Sequence, residues 1–351
     1  MPKGMWLPET AVDLETLEIL AEQEILFTVL APHQVLKVRS LEDGKVDTHL
    51  PYLLRLPSGR KIRLFFYEGA ISHAVAFDKL VIQGELFAEK LLGAFSEKMT
   101  GPQLVHIASD GETYGHHFPK GDQGLGEALR RIETGGLARL TNYEEFLERC
   151  PPVHEVEIAE KTSWSCSHGV DRWWSHCGCS TGANPSWSQA WRTPLRDALD
   201  WLRDSAAPKF EQEAAGMFKD PWAARNRFID LILDRSPQGS QRFFEEQAVR
   251  PLEERERDRA LKLLELQRQA LLMYTSCGWF FDDISGIEAV QILQYAARAI
   301  QLAEELFGES LEPKFLKILE EAKSNRPEFG DGRRIFENWV RPAMVRGQGA
   351  V

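Results

Sequence analysis

The sequence predicts an α/β N-terminal part built on parallel strands, followed by an all-α part. Three observations carry this reading. Up to about residue 160, short apolar runs of strand length alternate with amphipathic helical runs, the pattern of crossover connections in a mainly parallel sheet or barrel. From about residue 190 onward every periodic segment has helical spacing. Between the two lies a polar stretch dense in Trp and Cys.

The elements follow in order. Residues 4–9 (GMWLPE) are a short run that ends on a carboxylate. Residues 13–24 place Leu14, Leu17, Leu20 and Ala21 on one helical face, with Asp13 as N-cap. Residues 26–30 (LFTVL) read as a buried strand stopped at Ala31-Pro32. A strand at 61–67 (KIRLFFY), a helix around 87–95, a strand at 104–108 (LVHIA), a helix from about 124 to 133 and a last strand at 153–158 follow. In such folds the chemistry gathers at the C-terminal ends of the strands. Glu9, His33 and Asp110 are the polar residues expected there. Beyond residue 190, helices are predicted over 194–204, 222–233, 250–274, 287–307 and 313–324, with a disordered tail after Pro342. The organisation expected is a barrel-like domain at 1–160, a loop region at 161–192 lying over the barrel mouth, a helical domain at 193–341 and a tail at 342–351.

Composition narrows the function. The 351 residues carry 42 Lys+Arg against 53 Asp+Glu, a formal net charge of −11. That balance argues against broad binding to a nucleic-acid backbone, which needs a basic face, and against adhesion to anionic membranes. No apolar run approaches the roughly 20 residues of a spanning helix. The first ten residues lack the apolar core of a signal peptide, so a cytoplasmic protein is expected.

Glycosidic bond cleavage needs two carboxyl groups flanking the bond, and sugar faces stack on indoles. The chain offers Glu9, Asp110 and ten Trp, five of them within residues 164–191. At this point a resemblance enters. GMWLPET at 4–10 resembles the nucleophile motif of glycoside hydrolase family 57, the α-amylase and 4-α-glucanotransferase family. SDGETYGHH at 109–117 resembles the motif that holds the family's acid/base. YTSCGWFFDD at 274–283 resembles its last motif, and the region from Trp164 onward is similar to an uncharacterised C-terminal domain of one branch of the family. The resemblance implies a partial (β/α)7-type barrel followed by the helical domain. It implies a retaining hydrolase or α-glucan transferase, working without a cofactor by double displacement on an α-linked glycan. Glu9 would be the nucleophile and Asp110 the acid/base. Trp6, Glu112, His116, His117 and Trp164 would contact sugar, with Trp279, Asp282 and Asp283 reaching in from the bundle while Phe280 or Phe281 packs inward.

The family's His-Gln-Pro motif and its second motif, which precede the nucleophile, are not found ahead of Gly4. The resemblance therefore also implies a further N-terminal segment or a separate chain that completes the barrel. The alternative is a non-catalytic carbohydrate-binding or scaffold relative.

Cys166, His168, His176, Cys177 and Cys179 offer five N or S donors within 14 residues. Their spacing matches no common zinc template, and no metal is expected there. Cys150 and Cys277 complete the five cysteines, too few for a disulfide scaffold.

Overall fold

The computed structural model describes residues 2–39 and 44–344; most of the expected tail, from residue 345, lies outside the described residues. The chain divides into two compact units, residues 1–170 and 171–351. The division falls inside the long loop between the last strand and the first long helix.

The first unit holds one six-stranded sheet. Its strands are β1 (Gly4–Met5), β2 (Phe27–Leu30), β3 (Val35–Val38), β4 (Tyr52–Arg55), β5 (Lys61–Phe66) and β6 (His154–Ile158), in the order β1-β2-β5-β4-β6-β3. β1, β2 and β5 run parallel, as do β4 and β6. The sheet is mixed, because β4–β5 is a hairpin and β3 pairs antiparallel with β6. The helices are α1 (Leu14–Glu22), α2 (Gly69–Phe77), α3 (Gly84–Gly93), α4 (Gly121–Gly135) and α5 (Tyr143–Arg149).

Side chains alternate across a strand, and β5 uses both faces. Ile62, Leu64 and Phe66 pack with Leu17, Leu20, Tyr52 and Leu54 on one side. Phe65 packs with Val29, Tyr67, Leu104 and Phe146 on the other. Asp13 caps α1 as predicted, accepting a hydrogen bond from the Thr16 amide at 2.8 Å. A third cluster joins α2, α3 and α4 through Ile71, Val75, Val81, Phe87, Ala128 and Ile132. There Gly124 lets α4 approach closely: a Cβ at this position would lie 2.0 Å from the Val81 carbonyl oxygen.

The strand predicted at 104–108 is not formed. Leu104 and His106 are buried alternately as in a strand, but the backbone bonds go elsewhere. The Leu104 amide reaches the His49 carbonyl, the His106 carbonyl takes the Glu68 amide, and the Ala108 amide reaches Ser72 Oγ.

The second unit is helical: α6 (Arg192–Ala214), α7 (Pro221–Leu233), α8 (Pro237–Gln247), α9 (Glu254–Leu272), α10 (Cys277–Phe280), α11 (Ile287–Phe307), α12 (Glu312–Leu319) and α13 (Gly332–Ile335). Its core draws Leu195, Leu199 and Phe210 from α6, Leu263 and Leu264 from α9, and Leu293, Ala296 and Ile300 from α11. The Ala-rich face of α11 permits close helix packing. No helix among the described residues is long and apolar enough to cross a membrane.

Candidate active site

Because β1, β2 and β5 are parallel, the residues that follow them share one edge of the sheet: Glu9 after β1, His33 after β2 and Tyr67 after β5. Glu9 lies in a 3-10 turn, Pro8–Thr10, with a left-handed backbone at φ 58°, and Thr10 follows at φ 49°. Two successive non-glycine residues in this region cost about 1–2 kcal/mol each, so surrounding contacts must hold them. Buried Gln34 supplies one: its Nε2 donates to the Thr10 carbonyl at 2.8 Å and its Oε1 accepts from the Ala31 amide at 2.9 Å.

The segment 162–165 supplies the rest. The amides of Val12 and Trp164 bond the carbonyls of Thr162 and Glu9, both at 3.0 Å. His33 Nε2 lies 3.0 Å from the Ser163 carbonyl oxygen. Glu9 Oε2 accepts two side-chain hydrogen bonds, from Trp164 Nε1 at 2.9 Å and from Ser165 Oγ at 2.6 Å. The carboxylate is thus held by one oxygen. The Trp164 ring meets Trp6 edge-on at 5.1 Å and Tyr67 at 6.2 Å. Trp6 is 43% exposed, a flat apolar surface beside a fixed carboxylate. Burial pushes the Tyr67 phenol up to about 12, so it stays neutral.

Asp110 opens a second 3-10 turn, Gly111–Tyr114. It does not end a strand, contrary to the sequence-based expectation. Ser109 Oγ and the Tyr114 hydroxyl, 2.8 Å apart, brace this turn, and the Glu112 carbonyl accepts the amides of His116 and His117. Asp110 is reached by solvent, yet loss of water around its carboxyl raises its pKa above the usual aspartate value. The negative charges of Glu9 and Glu112 raise it further, while His117 opposes them. Asp110, Glu112, His117 and Glu9 are therefore electrostatically coupled. His116 is exposed, and its ring lies tilted against that of His117, with centroids 5.1 Å apart.

The three site residues expected from the helical domain have other partners. Trp279, predicted to line a cleft, is 1% exposed and packs in the helical core, with Phe281 turned outward instead. Asp282 accepts from the amide and hydroxyl of Thr181. Although burial works against its charge, Asp283 is held below the usual aspartate range by Ser285, Ser324 and Asn325. These two carboxylates fasten loops of the second unit. The indole explains the reversal: it is the largest apolar side chain in the run and gains most from burial.

Sequence reasoning missed Ser165 and Tyr67. Tyr67 ends a parallel strand, so the strand-end rule could have found it. Ser165 carries no local signal.

Of the five N/S donors in the Cys-rich stretch, Cys166 is buried, Cys177 and Cys179 are half-buried, and His168 and His176 are exposed.

Residues 1–159 match the family model described as glycosyl hydrolase family 57, and residues 187–350 match the model described as domain of unknown function DUF3536. No curated protein matches the chain in sequence. Among solved structures, the exo-type maltose-forming amylase of Pyrococcus sp. ST04 aligns with a TM-score of 0.64 at 18% identity, over 90% of this chain and 57% of that one. The α-amylase AmyC of Thermotoga maritima aligns with a TM-score of 0.55 at 12% identity, over 99% of this chain and 66% of that one. The chain thus spans 57% of the length of the first of these and shares its fold. By these matches the chain carries a glycosyl hydrolase family 57 domain at residues 1–159 followed by a DUF3536 domain at residues 187–350.

Proposed function

We propose that the first unit is a retaining glycosidase or α-glucan transferase domain, with Glu9 as nucleophile and Asp110 as acid/base. The observation that carries this reading is the pairing of roles. One carboxylate is fixed through a single oxygen by Trp164 and Ser165, and the other has a raised pKa caused in part by the first. A fixed carboxylate beside a second carboxyl whose protonated form is favoured is the arrangement an acid/base pair needs.

In the first step Asp110 gives its proton to the glycosidic oxygen as Glu9 Oε1 attacks the anomeric carbon. The carbon–oxygen bond breaks and a glycosyl ester forms on Glu9. In the second step the Asp110 carboxylate takes a proton from water or from a sugar hydroxyl, whose oxygen displaces Glu9. The electron pair returns to the Glu9 carboxylate, where Trp164 and Ser165 stabilise the returning charge. This double displacement calls for carboxyls about 5–5.5 Å apart. Exposed Trp6 would stack a sugar ring beside the reacting bond, and His117 and Glu112 would set the Asp110 proton. An α-linked glucan is the substrate class suggested by the maltose-forming amylase and α-amylase among the structural relatives.

The second reading, a glycan-binding relative without turnover, draws on the exposure of Trp6, Asp110 and Glu112. Incubation with maltoheptaose, followed by chromatography and NMR of the product anomer, separates the two. Retained α-anomer products that vanish in Glu9→Gln support the enzyme. Oligosaccharide binding that depends on Trp6, with no turnover, supports the binding protein.

A further inference from the structure

We propose that Trp339 and Phe329 form a second glycan-binding site, carried entirely by the helical unit, which takes an α-linked glucan chain by stacking a sugar ring. The proposal rests on the reading of the first unit as a domain that acts on α-glucans, and extends it.

Trp339 is 56% exposed, although an indole has about 150–250 Å² to bury. Its outward position has a backbone cause. Residues Phe336–Val340 form a π turn, closed by the Arg341 amide on the Phe336 carbonyl. Such turns are rare and gather at functional sites. The wider turn keeps Phe336 and Val340 in the core and carries Trp339 out to the surface. The Phe329 ring lies beside it, with centroids 5.7 Å apart and planes inclined by 31°. Phe329 in turn packs partly on the helical core.

Polar groups flank these two rings. The Arg326 guanidinium sits 4.3 Å from the centroid of the Phe329 ring and pairs with Glu328 at 3.1 Å. The Arg334 side chain runs past Gly330, where φ is 72° and a Cβ would lie 2.8 Å from Arg334 Cδ. Aromatic rings for the C–H face of a sugar, with guanidinium and carboxylate groups for its hydroxyls, are the chemistry that recognises a glycan. The charge of Arg326 is met by Glu328, which suits a neutral polymer better than an anionic one.

The platform is also held in advance. The Ser324 amide donates to the Gly330 carbonyl at 3.0 Å, and the Gly332 amide to the Ala322 carbonyl at 2.9 Å. Asp283 accepts from Ser324 Oγ at 2.8 Å and from the Asn325 amide at 2.6 Å. A loop fixed in this way gives up little freedom when a ligand binds. Two partly covered rings expose far less than the roughly 800 Å² per partner of a stable protein interface. A single carbohydrate chain therefore fits the patch better than a second protein.

The test uses the full chain with Trp6→Ala as background, so that the site in the first unit contributes little. Calorimetric titration with maltoheptaose should give an association constant that Trp339→Ala lowers about fivefold or more and that Trp339→Phe largely keeps. Equal affinity in Trp339→Ala and its background overturns the proposal. So does a concentration-dependent dimer, seen by sedimentation, that Trp339→Ala abolishes, because the face then belongs to a second copy. If Trp339→Ala fails to fold, the indole N–H resonance of Trp339 in the parent, assigned with Trp339→Phe, decides. It should shift on adding maltoheptaose, and an unmoved signal overturns the proposal. Turnover of maltoheptaose without binding at Trp339 counts against this site alone. Binding at Trp339 without turnover upholds it and counts only against the catalytic reading of the first unit.

Discussion

Ser165 Oγ donates to Glu9 Oε2 at 2.6 Å across 156 residues of chain. This bond orients the carboxylate and, on the proposed mechanism, leaves its second oxygen to attack. A hydrogen bond to a charged group contributes about 1.5–3 kcal/mol, so Ser165→Ala should lower kcat by roughly 10- to 100-fold. KM for maltoheptaose should change little. Steady-state kinetics on the folded variant check this, and an unchanged kcat would leave Ser165 with a structural role only.

The pH profile should respond to the neighbours of Asp110 with opposite signs. Asp110 must be protonated to act as the acid, and its pKa is raised by burial and by the charges of Glu9 and Glu112. Glu112→Gln removes one negative charge, so the alkaline limb of kcat/KM should move to lower pH. His117→Ala removes a group that lowers the Asp110 pKa, and the limb should move to higher pH. Shifts in the same direction would contradict this arrangement.

His106 should make the first unit acid-sensitive. Burial pushes its pKa from 6.5 down to about 4, with His49 adding to the effect. The native state therefore holds it neutral while the unfolded chain binds a proton below 6.5. Its contribution is present above pH 6.5 and is lost as pH falls through about 4, by roughly 3 kcal/mol in all. Urea melts of the parent and of His106→Asn between pH 7 and 4 should converge as the pH drops.

Trp6 and Trp279 should separate binding from stability. Trp6 is 43% exposed, so Trp6→Ala should change the melting free energy by no more than about 0.5 kcal/mol. Oligosaccharide affinity should fall. Trp279 is 1% exposed, and Trp279→Ala should cost about 3–5 kcal/mol. Calorimetry of the two variants, with glycan titrations of Trp6→Ala, gives the comparison.

What was legible in the sequence was local. The cap at Asp13, the apolar face of α1 and the strand at 61–67 need only neighbouring residues, and all three formed as read. Four-residue strands such as β3 and β4 are too short to show a period, and α2 is so uniformly apolar and small that it has little face to detect. At 104–108 the alternation was real, but the burial behind it came without a ladder. In the candidate site, Glu9 and Asp110 sit inside recognisable motifs. Ser165 does not, because its position depends on a contact between distant parts of the chain.

The reach from Glu9 to Ser165 also sets a clock. Glu9 is synthesised 155 and 156 residues ahead of its two side-chain partners. At roughly 5–20 residues per second, about 8–30 s pass on the ribosome before they can meet. Until then the left-handed turn at Glu9 and Thr10 has its contact from Gln34 but lacks those from residues 162–165. The Glu9 carboxylate is thus among the last parts of its unit to be secured, after most of the sheet that carries it has been synthesised.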